Sequence, residues 1–295
     1  MKKLRFLVLL LLLAAFMAGL SAYLLRQREP VYQGRPLSKW LEELEYSRLQ
    51  DGRGSSAEAL RHMGTNAMPT LVKMLRARDS ELKLQLIRLA RKQGLVRVGP
   101  FRFHPTPGLV RCRTAIAACE LLGPSARSAI PELVALLRET EPQTGYAAAR
   151  ALGAIGAEAI PALVSELANE NKETRLRAVM AMGAFPKGST VLVPPLLRSL
   201  HDPGADVRNM ATAALGRFGL EAAVVVPALA ECLADPSSYV RMNAAQGLGG
   251  FGRLANSAVP ALLQALEDEN KEVCALAAIA LKKVDGEAAR KAGVK

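Results

Sequence analysis

The chain has 295 residues; half are apolar, only 4% are aromatic, and the formal charge is +12. That length buries one large core or two smaller ones, and an Ala- and Leu-rich composition with few aromatics favours helices over strands. The charge is uneven: residues 1–138 carry 23 Lys/Arg against 10 Asp/Glu, whereas 139–295 carry 16 against 17. The sequence therefore places its basic character in the N-terminal half alone, peaking between Lys73 and Arg113, and the neutral half speaks against a nucleic-acid track along the whole chain.

The first segment, residues 1–28, contains a run from Phe6 to Leu25 with no charged residue. Twenty residues make about 30 Å of helix, enough to cross a bilayer. The reading is a signal anchor, with the membrane contacted through 6–25. A cleaved secretory signal is the alternative, with Gly19 and Ser21 as its small residues, although Ala-x-Ala is absent. Lys2, Lys3 and Arg5 hold the N-terminus in the cytoplasm, while Arg26, Arg28, Arg35 and Lys39 pull the other way. The short N-terminal tail tips the expectation towards a membrane-anchored solenoid lying outside the cytoplasm, in the periplasm, or secreted if the signal is cleaved. Residues 29–50 read as a linker and a capping helix, with Ser38 as its N-cap.

From residue 51 to 285 the chain repeats itself. A ruler of Gly64, Gly94, Gly123, Gly156, Pro186, Gly219, Gly252 and Asp285 recurs at steps of 29 to 33 residues. Apolar residues stand one, four, five and eight positions before it, as in Phe218, Leu215, Ala214 and Ala211. That spacing makes one helical face, and a glycine after it can take the left-handed conformation that stops a helix. A proline follows in most copies (Pro69, Pro131, Pro161, Pro194, Pro227, Pro260), where a first helical turn tolerates its missing N–H. A second apolar pattern such as "PALVSEL" or "PALLQAL" comes after it. Each copy is thus an antiparallel helix pair that cannot bury its face alone, so the copies must stack. The fold class is all-α, an α-solenoid of stacked helix pairs, with a C-terminal tail at 286–295.

The stretches "DPGADVRNMATAALG" (202–216) and "DPSSYVRMNAAQGLG" (235–249) resemble HEAT repeats, especially the bacterial HEAT-like type. The segment "YQGRPLSKWLEEL" (32–44) is similar to the lead-in of anchored bacterial HEAT-repeat proteins, with Trp40, Leu41 and Leu44 expected to cover the open end of the first repeat. The resemblance implies a non-catalytic protein–protein interaction scaffold with an unidentified protein partner. It also implies a structural ladder in which Asp202 and Asp235 accept hydrogen bonds while Arg208 and Arg241 tie neighbouring copies. Arg53 and Arg175 share the arginine column, and Cys112 and Cys274 interrupt it.

Candidate partner-binding residues come from two places. One is the irregular copy at 80–108, where "LVRVGPFRFHPTPG" replaces the second helix; Val96–Val98 and Phe101–Phe103 alternate like a small hairpin. Arg97, Phe101, Arg102, Phe103 and His104 would form a binding loop with aromatic anchors and anion contacts, set against the plainer reading of a solvated loop. The other is the outward face of the second helices, which the resemblance places on the inner surface: Lys73 and Arg76, Arg138, Ser165 and Glu166, then Arg198, Glu231 and Gln264. The basic end also leaves anionic lipid, or nucleic acid, as an alternative ligand. Chemistry for catalysis is missing: His62, His104 and His201 have no partner at metal or triad spacing, and no phosphate loop exists, so no cofactor is expected. A phycobilin-lyase-like enzyme is the remaining catalytic alternative, without a distinctive lyase motif. The four cysteines read as small apolar side chains; Cys112 and Cys119 lie seven apart on one helix, about 10 Å along its axis, too far for a disulfide.

Overall fold

A computed structural model describes residues 29–47, 54–77, 85, 108–185 and 189–294. The chain divides into two compact units, 1–129 and 130–295.

In the first unit the chain enters through a two-stranded ribbon, β1 (Val31–Tyr32) and β2 (Arg35–Pro36), with Val31 opposite Pro36 and Tyr32 opposite Arg35. Gln33 and Gly34 both have positive φ, 49° and 73°, which suits the tight turn of a two-residue hairpin. Helix α1 (Leu37–Ser47) starts at once. Ser38 is not its cap: it sits one residue inside, and its backbone N–H is met by the Glu29 carboxylate at 3.0 Å. Trp40, Leu41 and Leu44 are buried, and the Trp40 indole donates to the Tyr32 carbonyl at 3.3 Å. Helix α1 packs on α2 (Ser55–Met63) and α4 (Gly108–Leu122), and α3 (Met68–Leu75) also packs on α4.

The second unit contains α5 (Ile130–Leu137), α6 (Pro142–Ile155), α7 (Ile160–Glu166), α8 (Lys172–Gly183), α9 (Val193–Ser199), α10 (Ala205–Phe218), α11 (Ala222–Cys232), α12 (Ser238–Phe251), α13 (Val259–Ala265), α14 (Lys271–Val284) and α15 (Gly286–Lys291). The longer first helices α6, α8, α10, α12 and α14 each pack on the next, making one layer; the short second helices α5, α7, α9, α11 and α13 make the other. The columns one, four, five and eight residues before the ruler are buried as their period requires: Phe218, Leu215, Ala214 and Ala211 form the core face of α10. One more buried column was not apparent from the periodicity. It lies two residues before each proline, at Ala67, Ala129, Ala159, Leu192, Val225 and Ala258, and fastens the short turn that joins the helices of a copy.

Small residues set how closely the first layer packs. A Cβ at Gly216 would lie 2.7 Å from the Gly247 Cα, and one at Gly249 3.0 Å from the Ala280 Cα. Among the described ruler positions, Gly219 (φ 62°, ψ 26°) ends its helix in the left-handed helical region. Gly156 takes φ 91° and ψ −145°, a region open essentially to glycine alone, and starts a 3₁₀ turn instead. Pro227 also departs from expectation. Helix α11 begins five residues ahead of it, so the proline lies inside the helix rather than in its first turn. The terminal segment, read as a tail, instead folds into α15 against α14, capped by Asp285.

The expected membrane-anchored, extracytoplasmic placement is corrected here. No helix among the described residues is long and apolar enough to cross a membrane. The longest, α4, has 15 residues, which reach about 22 Å against a hydrocarbon core of ~30 Å. The run at 6–25 lies outside the described residues.

Candidate interaction surfaces

The arginine column is a ladder. Arg175 donates to Asp202 through Nε (2.7 Å) and Nη2 (2.9 Å), Arg208 to Asp235 (2.7 and 3.0 Å), and Arg241 to Asp268 (2.7 and 2.9 Å). Each arginine therefore reaches forward 27 residues to the next copy. Its remaining nitrogen, Nη1, caps carbonyls of the loop before its own helix: those of Asn169 and Glu170, Asp202 and Pro203, or Asp235 and Pro236. The aspartates also accept backbone N–H groups from Gly204, Ser237 and Asn270, each at 2.8 Å. Burial opposes ionisation of Asp202 and Asp235, but bonds from Arg175 and Arg208 and from the backbone outweigh it and hold both carboxyls below the usual range. For Asp268 the Arg241 hydrogen bond dominates in the same direction. The side chains of Asp202, Arg208, Asp235 and Arg241 are thus all engaged in bonds between neighbouring copies. Asp268, the acceptor of the third rung, was missed because the sequence there reads "EDEN" where the other copies read "DP".

The ladder has a break that the column itself shows, at Gly145. Arg177, two residues beyond the arginine column of the following helix, fills that space. Its guanidinium occupies the place a Gly145 side chain would need, and its Nη1 donates to the carbonyls of Leu137 (2.9 Å) and Glu139 (2.6 Å). At the far end Cys274 stands in for arginine, and its Sγ donates to the Asp268 carbonyl at 3.0 Å.

Of the expected contact residues, Lys73 and Arg76 are exposed in the first unit, on α3 and just after it. In the second unit Arg198 is exposed on α9, but Arg138 is committed: its Nε donates to Glu166 at 2.9 Å, and its Nη2 also reaches that carboxylate, which is itself buried and takes a further bond from Asn169. Glu166 thus belongs to the framework rather than to the outward face. Arg97, Phe101, Arg102, Phe103 and His104 lie outside the described residues, as does most of the basic stretch behind the lipid or nucleic-acid reading.

One face of the second helices stays open in every copy of the second unit. The residue four after each proline is exposed, giving Ala135, Ser165, Arg198, Glu231 and Gln264, and so is the residue seven after it, giving Arg138, Ala168, His201, Ala234 and Glu267. Between α9 and α11 this face holds a recess of about 210 Å³ lined by His201, Glu231 and Asp235. No group of His, Cys, Asp and Glu among the described residues could hold a metal ion. Cys112, Cys119 and Cys232 are buried and form no disulfide, and burial pushes the Cys119 thiol up to about 12, which makes it a poor nucleophile.

A pattern for HEAT repeats matches residues 160–249 and 226–292, and one for the PBS lyase HEAT-like repeat matches 146–169. No curated protein matches the chain in sequence. Among solved structures, a Kap121p mutant is similar at 16% identity and a TM-score of 0.51; the match covers 85% of this chain and 30% of Kap121p. A designed armadillo repeat protein in complex with the peptide (KR)4 is similar at 19% identity and a TM-score of 0.45, over 74% of this chain and 99% of its own. An engineered protein gives 22% identity and 0.45, over 76% and 97%. These likenesses concern the fold. With the two-layered stack, the matched repeats and the likeness to the Kap121p mutant lead to one conclusion: the chain is an all-α solenoid of stacked antiparallel helix pairs, with HEAT repeats matched over 160–292 and a HEAT-like repeat over 146–169.

Proposed function

We propose that this chain is a non-catalytic scaffold that binds a protein partner along the exposed face of its second helices. One observation carries the reading. From Lys172 to Val284 the residues that hold the copies together repeat from copy to copy, whereas those on the open face do not: Arg198, Glu231 and Gln264 occupy one position with three different chemistries. A surface that packing leaves free to vary can be matched, copy by copy, to an extended partner. Charge along it changes sign, from Arg198 to Glu231 and Glu267, which suits a mixed-charge protein segment better than a uniformly charged polymer.

A photo-crosslinking residue at position 198 or 231 tests this in the cells that make the protein, with Asp206 and Gln246 on the first-helix layer as controls. The proposal expects the same discrete protein adduct from both second-helix positions and not from the controls. Adducts distributed equally over both layers would contradict it.

A further inference from the structure

We infer that the C-terminal end of the second unit holds a binding site for a short acidic peptide segment. The site is an open cleft of about 860 Å³ between the turn Gly252–Ala258 and the corner joining α14 to α15. Four cations line it: Arg253, Lys282, Lys283 and Arg290. Two carboxylates line it too, but both are committed within the chain. Asp285 accepts the backbone N–H groups of Glu287 and Ala288, each at 3.0 Å, and Glu287 pairs with Lys291 at 2.8 Å. Arg253 and Lys283 are exposed and have no carboxylate partner among the described residues. A concave wall carrying four cations against two occupied carboxylates concentrates positive potential where an anion can enter.

The chemistry of the lining favours carboxylates on a peptide. Guanidinium groups at Arg253 and Arg290 offer paired donors to carboxylates, and Asn256 offers an amide that can meet a peptide backbone. The cleft is of the size that accommodates a small ligand or a few residues. The positive charge is also local. Helix α14 has 14 residues, so its other end lies about 20 Å away, and there Glu267, Glu269 and Glu272 are exposed. A nucleic-acid strand continuing along the helix would run into those carboxylates, whereas a short acidic segment would not. The inference rests on the reading of the chain as a protein-binding scaffold, but it uses none of the second-helix positions that carry that reading, so either can fail alone.

The test uses the full chain and a short fluorescein-labelled peptide of alternating Glu and Gly, with the Gln version as its control, read by fluorescence anisotropy. The expected result is binding of the Glu peptide and not of the Gln peptide. Affinity should weaken about tenfold or more in the double variant Arg253→Glu, Lys283→Glu, and stay unchanged in Arg127→Glu, an exposed residue of the first unit. Should the reversal variant not fold, Arg253→Gln with Lys283→Gln gives the same readout, with a smaller loss expected. Equal binding of the two peptides, or an affinity unchanged in the folded variants, overturns the inference. So does pyrophosphate binding more tightly than the Glu peptide and displacing it, which would make this a phosphate site.

Discussion

Two stretches of the second unit meet the same packing demand with different chemistry. From Lys172 to Val284 each copy is tied to the next by a bidentate Arg–Asp rung whose arginine also caps the loop behind it. From Ile130 to Asn171 no such rung exists: Gly145 stands where the arginine should be, Arg177 caps the Leu137 and Glu139 carbonyls from the next helix, and Arg138 binds Glu166. The demand common to both is that loop carbonyls before each first helix receive donors and that neighbouring loops are joined. The column of arginines is one way of meeting it. A guanidinium reaching back from the following copy is another, and it requires a glycine to make room.

The sharpest break in the regular stretch would come at its closest helix contact. Gly216→Val sets a branched side chain against the Gly247 backbone and is expected to lower stability by about 3 kcal/mol in denaturant unfolding. Gly250→Ala, where a Cβ meets only the Gly216 carbonyl at 3.6 Å, should instead raise stability by about 0.5 kcal/mol. Equal effects at the two sites would show that the close approach at Gly216 does not set the cost.

A smaller effect separates the two kinds of rung. Asp235→Ala leaves the largely buried Arg208 fork without its acceptor and should cost about 2 kcal/mol. Arg177→Met removes caps from two carbonyls but also removes a buried charge, so about 1 kcal/mol is expected. A larger loss at Arg177 than at Asp235 would reverse the ranking of the two solutions.

Acid sharpens the contrast most gently. Asp202, Asp235 and Asp268 titrate below their ordinary value in the folded chain. Their contribution is therefore present above about pH 4 and is lost as pH falls through the lower, folded-state range. The Arg177 caps end on carbonyls, which do not titrate there. Hydrogen exchange followed down the acid limb should show protection falling at the 202, 235 and 268 loops before it falls at 137–139; simultaneous loss would contradict the distinction.

Much of this architecture could be read from residues alone. The Ala and Leu columns and the prolines fixed helix pairs, because burial imposes a period and packing admits only small side chains. The Asp202–Arg208–Asp235–Arg241 ladder was visible too, since its members recur at one offset, although its direction was not: each arginine bonds the aspartate ahead of it. Arg177 escaped because it acts from a neighbouring column through space that only Gly145 makes available. Arg138 looked like a surface charge because its partner Glu166 lies 28 residues away. The C-terminal cleft was hidden by averaging: a half with 16 cationic against 17 anionic side chains still gathers Arg253, Lys282, Lys283 and Arg290 at one corner.

The separation between a repeating framework and a variable face is tested most directly by reversing the face without touching the framework. In the double variant Arg198→Glu, Glu231→Lys, the account predicts unfolding free energy within about 0.5 kcal/mol of the parent, as for surface substitutions away from packed groups. It also predicts loss of the protein adduct formed from a photo-crosslinker at position 264. An adduct that persists in the folded double variant, or a loss of stability as large as that of Asp235→Ala, would contradict it.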